Sequence, residues 1–109
     1  MIVADPEGRY PNGLSEKEYL SGLIRAEVSQ PHTEVVREPS SNVWGGEEFY
    51  RADYKSVNNG ATIYNSMVSI KRHGYWLNWS FMTPSQSDLE DAVNTLRNIS
   101  FDHPSPQAR

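Results

Sequence analysis

From Glu47 to Met82 the chain alternates between apolar and polar positions with the period of two that belongs to β-strands. In the first run, "EEFYRADYKSV", Tyr50, Ala52 and Tyr54 fall on one side and Arg51, Asp53 and Lys55 on the other. "NNG" at 58–60 is a hairpin signal, because Asn and Gly tolerate the positive φ of tight turns. The return strand, 62–71, sets Tyr64, Val68 and Ile70 against Ile63, Asn65 and Met67. His73-Gly74 predicts a second turn, and a third strand follows from Tyr75 to Met82. There Tyr75, Leu77, Trp79 and Phe81 share one side, while Trp76, Asn78, Ser80 and Met82 share the other. The first of these sets is uniformly large and apolar, so it is expected to join Tyr50/Ala52/Tyr54 and Tyr64/Val68/Ile70 in one core face. The second set is mixed, as a partly solvated face should be.

Two stretches switch to the 3.6-residue period. Ser15 and Glu18 have the spacing of a capping box, and Leu14 and Tyr19 that of a hydrophobic staple. Leu20, Leu23, Ile24 and Val28 then form one apolar stripe, which Pro31 ends. Gly22 costs this helix about 1 kcal/mol relative to Ala, so it must rest on tertiary packing. Near the other end Thr83-Pro84 stops the strand, and Ser85 with Asp88 repeats the capping spacing. Leu89, Ala92, Val93, Leu96 and Ile99 supply the stripe, and Asp88, Glu90 and Asp91 suit the positive end of the helix dipole. Shorter elements are expected at 1–4, as a strand-like lead, and at 33–38, as a short strand. Residues 39–46, "PSSNVWGG", read as a loop, and 99–101, "ISF", as an apolar finish.

The expected architecture is α+β: an antiparallel β-meander of three long strands plus one or two short ones, with an N-terminal and a C-terminal helix packed on one face. A chain of 109 residues makes about one domain, expected over 1–102, with a disordered tail at 103–109. Its 14 acidic and 10 basic residues give a net charge of −4, which argues against a nucleic-acid partner. The tightest basic pair is Lys71-Arg72, beside a turn. With no cysteine, thiolate catalysis, disulfides and cysteine-ligated zinc are excluded. Residues 1–13 have neither the basic start nor the apolar run of a signal peptide, and no apolar stretch has membrane-spanning length. A soluble chain without membrane insertion is expected, cytoplasmic, or extracytoplasmic if a targeting segment has been removed.

Candidate chemistry is sparse. His32, His73 and His103 sit in a loop, a turn and the tail, without the i, i+4 or i, i+2 spacing of metal ligands. No G-x-S-x-G elbow occurs, and Gly45-Gly46 and Asn59-Gly60 look like turn chemistry rather than phosphate loops. Neither a cofactor nor a metal is expected. One surface stands out: Trp76, Met67, Met82 and Ile63 share the mixed face, with Phe49 and Trp44 as neighbours. Tryptophan and methionine are enriched where partners bury surface.

The segment "GYWLNWSFMTPSQSDLEDAVNTLRNISF" resembles the closing part of the PsbP-like superfamily. There a turn glycine and an aromatic residue open a strand that ends in a small-Pro-Ser step, and a helix with an acidic first turn leads to an S-x-x-F-like finish. Gly74-Tyr75, Thr83-Pro84-Ser85, the helix from Ser87, and Asn98 to Phe101 match that pattern. "GGEEFYRADY", from Gly45 to Tyr54, is similar to the preceding strand of bacterial members of unknown function. The resemblance covers residues 43–101, and its motifs are structural rather than chemical. It implies an antiparallel sheet with flanking helices, and partner binding, as in the photosystem II extrinsic subunit and a nuclear-import factor of the superfamily. The chain lacks the long N-terminal sheet segment of larger members, and no functional residue carries over.

The expected function is therefore that of a non-enzymatic interaction domain, burying the mixed face around Trp76 against a protein partner or a second copy. The alternative is a small-ligand-binding module or weak hydrolase, with a pocket between the sheet and the 39–46 loop and Trp44 as its lid.

Overall fold

In a computed structural model, residues 2–6, 8 and 13–98 are described. Strand β1 (Ile2–Pro6) leads to helix α1 (Glu16–Val28), and four strands follow: β2 (Thr33–Trp44), β3 (Glu47–Asn58), β4 (Ala61–Arg72) and β5 (Tyr75–Thr83). Helix α2 (Gln86–Asn94) and a 3-10 turn (Thr95–Asn98) close the described chain. All five strands lie in one antiparallel sheet, ordered β1-β5-β4-β3-β2. The meander β2 to β5 thus starts at one edge and ends beside β1, and α1 carries the chain between the edges. The expected class, α+β with an N-terminal and a C-terminal helix packed on an antiparallel sheet, is the class observed. The expected tail at 103–109, the finish at 99–101 and the stripe residue Ile99 lie outside the described residues.

Local chemistry explains each reversal. The hairpins pair Trp44 with Glu47, Asn58 with Ala61 and Arg72 with Tyr75, leaving two-residue loops. Both residues of every loop have positive φ: 59° and 79° at Gly45-Gly46, 54° and 80° at Asn59-Gly60, 52° and 81° at His73-Gly74. Such turns carry the twist of the flanking strands across the reversal. Both helix caps form at the expected residues. Ser15 Oγ accepts from the Glu18 N–H at 3.1 Å while Glu18 Oε1 accepts from the Ser15 N–H at 2.9 Å, and Ser85 Oγ accepts from the Asp88 N–H at 3.2 Å.

The helices do not share one face of the sheet. Leu20 and Ile24 of α1 pack on Ala52, with Tyr50, Tyr54, Met67 and Val35 around them. Leu89 and Val93 of α2, with Leu96, pack on Phe49, Val68 and Ile70, flanked by Tyr64, Leu77, Trp79 and Phe81. Ala52 pairs with Met67, and Val68 with Trp79. Adjacent strand residues point to opposite faces, so these are two cores with the sheet between them. Tyr50, Ala52 and Tyr54 therefore lie opposite Val68 and Ile70, not beside them. The sequence misleads here because hairpin register, not apolarity, decides which alternating sets align.

The second correction concerns 39–46. Residues 39–44 continue β2, giving four long strands rather than three, and only Gly45-Gly46 turns. Pro39 and the polar Ser40-Ser41 hide the strand from a reading of pattern, yet Pro39 is buried. Pairing of β2 with β3 shifts register between Val35 and Arg37 and again between Arg37 and Ser40. The first shift has a clear consequence. Val35 and Arg37 would share a face in a regular strand, but Val35 packs beneath α1 while Arg37 meets Asp53, on the α2 side.

Two separate cores predict independent energetics. Ile24→Val, beneath α1, and Ile70→Val, beneath α2, should each cost about 0.5–1.5 kcal/mol in urea unfolding. Their effects should add in the double variant within about 0.5 kcal/mol. A larger coupling would mean that the sheet does not separate the cores.

Candidate functional site

The residues singled out as a candidate surface divide between the two faces. Phe49 is fully buried against α2, and Trp44 packs on its ring at 5.3 Å, so Trp44 is no lid. Trp76 is also fully buried, stacked on Tyr19 of α1 with ring centroids 4.2 Å apart and planes within 5°. Lys71 Nζ lies 4.9 Å from the centre of the same indole. Met67 is half-buried in the α1 core and Ile63 is half-buried, whereas Met82 is 73% exposed. The apolar residues of the mixed face are thus covered mainly by the chain's own first helix.

What α1 leaves open is more informative. The helix crosses the sheet obliquely: Tyr19 lies over Trp76 of β5, Leu20 and Ile24 over Ala52 of β3, and Val28 beside Val35 of β2. A groove of about 690 Å³ remains beyond it, where β4, β5 and β1 run on past α1. Met67 of β4, Met82 of β5 and Val3 of β1 line it, and Leu23 of α1 contributes from the helix side. Its size falls within the usual range for small-molecule sites, roughly 300–1,000 Å³.

Polar groups converge on this groove. The Tyr19 hydroxyl donates to Asp5 Oδ2 at 3.0 Å and accepts from Asn78 Nδ2 at 2.6 Å, joining α1, β1 and β5. Because that hydroxyl gives its proton to Asp5, it can only accept from Asn78, which fixes the orientation of the amide. Asn78 Oδ1 is left buried with no hydrogen-bond partner among the described residues. At the far end the Tyr54 hydroxyl donates to Glu27 Oε1 at 3.4 Å. Burial, reinforced by the Glu27 carboxylate, pushes the Tyr54 phenol up to about 12. It therefore remains a protonated donor at neutral pH.

The sequence offered little warning of this constellation. Tyr19 is recognisable as a staple residue, but its partners Asp5 and Asn78 are 14 and 59 residues away in the chain. Asn78 belongs to the mixed face, and its register beside Met82 and Trp76 was the available signal.

The other face holds a charged network. Arg51 forms two bonds to Asp53, at 2.9 and 2.8 Å, and two to Glu90 of α2, at 3.2 and 2.6 Å. Arg37 adds a bond to Asp53 at 3.2 Å. The side chains of Arg51 and Asp53 are only 5% and 1% exposed. Burial works against the Arg51 charge, but its bonds to Asp53 and Glu90 outweigh it and hold the guanidinium above its ordinary range. A polar hollow of about 400 Å³ adjoins the network, beside Trp44 and Asn42. This is where a pocket near 39–46 was expected, but its guanidinium and carboxylate groups already neutralise one another. Among the described residues no three His, Asp or Glu side chains gather as metal ligands, and no helix is long and apolar enough to cross a membrane.

No family model matches the chain, and no curated protein matches it.

The charged network should be visible in stability. Arg51→Met leaves the buried Asp53 carboxylate with Arg37 as its remaining cation, and should cost up to about 3–5 kcal/mol in urea unfolding at neutral pH. Hydrogen bonding to Arg51 holds Glu90 below the ordinary carboxylate range. Its contribution is therefore fully present above that range and is lost as pH falls through the depressed value. Urea midpoints followed from about pH 5 to about pH 3 should fall more steeply for the natural chain than for Glu90→Gln.

Proposed function

We propose that the protein is a non-catalytic binding domain that takes a small amphipathic molecule in the groove between α1 and the strands β4, β5 and β1. One observation carries the reading: the groove combines an apolar lining with Asn78, whose buried Oδ1 has no hydrogen-bond partner among the described residues. An unpaired buried acceptor costs about 1–3 kcal/mol, and a donor on a bound molecule removes that cost. The apolar lining supplies affinity and the single acceptor supplies orientation, a division common to small-molecule sites. Binding is favoured over catalysis because the hydroxyls of Tyr19 and Tyr54 are committed to Asp5 and Glu27. The Tyr54 phenol, pushed to about 12, holds its proton against Glu27 and makes a poor base.

The resemblance to the PsbP-like superfamily, whose characterised members bind partners, points towards binding as well. A protein interface centred on Trp76 is the weaker reading, since that indole is covered by Tyr19. Met82, 73% exposed, and Val3, 44% exposed, lie at the rim of the groove rather than on a separate patch.

Methyl-labelled methionine provides the test, since Met67 and Met82 both line the groove. Titration with an uncharged amphiphile such as octanol should shift both methyl signals saturably, with a dissociation constant between about 10 μM and about 10 mM. Leu23→Trp, which fills the groove from α1, should weaken binding at least about tenfold without loss of the circular dichroism of the fold. Methyl signals that do not respond would overturn the proposal.

A further inference from the structure

We propose that a second amide, Asn65, selects the ligand of this groove by requiring a hydroxyl or N–H donor at the ligand's polar end; the inference rests on the groove being a binding site. Asn65 lies in a row that crosses three strands, paired with Tyr54 of β3 on one side and Met82 of β5 on the other. It is two residues from Met67, so its side chain stands on the α1 face of the sheet. Asn78 is four residues along β5 from Met82, which puts the two amides roughly 13 Å apart along the groove.

The state of its amide sets Asn65 apart from the other polar groups there. The residue lines the groove and is only 7% exposed. Its Nδ2 donates to the Ile63 carbonyl at 3.3 Å, which fixes the orientation of the amide. Its Oδ1 accepts no hydrogen bond among the described residues, and it is not one of the enclosed unpaired atoms, so it opens on the groove. The remaining polar groups are placed differently. The hydroxyl protons of Tyr19 and Tyr54 go to Asp5 and Glu27, and the Asn78 amide donates to Tyr19. Ser66 Oγ is enclosed, and Ser80 already has a partner. Glu27 is half-buried, so solvent still reaches its carboxylate when the groove is filled. Asn65 Oδ1 has no such reserve. An apolar body laid over Met67 and Leu23 excludes the solvent that serves it. A donor on the ligand replaces that bond, whereas a ligand without one leaves a buried acceptor unpaired.

Two isomers, octanol and methyl heptyl ether, isolate the donor. Both can accept from the second Asn65 N–H, but only octanol can donate to Oδ1. The ether is the more apolar of the two, so burial alone would favour it. Titrated against the methyl-labelled protein, octanol should nevertheless bind about tenfold more tightly. Asn65→Leu, which keeps the volume, and Asn65→Val, which suits a strand, should each erase that preference. Octanol should weaken in both variants while the ether binds at least as well as before, with the circular dichroism of the fold retained. Equal binding of the isomers to the natural chain would overturn the selection by Asn65 and leave the groove reading standing. So would a preference for octanol that survives both variants, or an equal loss of the two isomers in them. If neither isomer moves the methyl signals of Met67 and Met82, the groove reading falls and the inference with it.

Discussion

The stacking of Tyr19 on Trp76, with ring planes 5° apart, fixes the first turns of α1 over β5, and much of the molecule follows from that placement. The stack contributes about 0.5–1.5 kcal/mol beyond the area it buries. More important is its geometry, because one tyrosine also reaches Asp5 and Asn78 through its hydroxyl. With its start tied to β1 and β5 and its end beside Val35 of β2, the helix must cross the sheet obliquely. An oblique helix cannot cover a rectangular sheet, and the uncovered corner is the groove. The groove is thus a by-product of how α1 is anchored.

The opposite face is closed by different means. There α2 buries an apolar stripe, and Glu90 binds the network of Arg51, Asp53 and Arg37. Burying such charges contributes little net stability, but it tolerates no other alignment, since any shift strands a carboxylate or a guanidinium. The two register shifts in β2 belong to the same economy of space. They let one short segment send Val35 to one core and Arg37 to the charged network of the other.

Capping and hairpin-turn signals in the sequence were reliable, whereas the local pattern at 39–44 and the long-range pairings were not. The capping box at Ser15 and Glu18, the hairpin at Asn59-Gly60 and the turn at His73-Gly74 are written within a few residues, and all form. The stripe of α2 was legible for the same reason. Which face each alternating set occupies depends on pairing between strands, so both helices were expected on one side. Nothing in the sequence joined Arg51 and Asp53 to Glu90, which is 39 residues from Arg51. Trp76 read as exposed because the ring that covers it comes from a helix at the other end of the chain. Of the groove, only the mixed composition of the Asn78 and Met82 face was visible beforehand.

The proline in β2 has a further consequence for the behaviour of the chain in a crowded solution. A sheet with two free edges offers each as a template on which another copy can add a strand. Here one edge is the five-residue β1, which ends in Pro6. The other is the twelve-residue β2, interrupted by Pro39 and by two irregularities of register. Proline lacks the N–H that such a template needs, and the irregularities twist the remaining groups out of line. The long edge that would otherwise invite fibrous self-assembly is thereby made a poor seed.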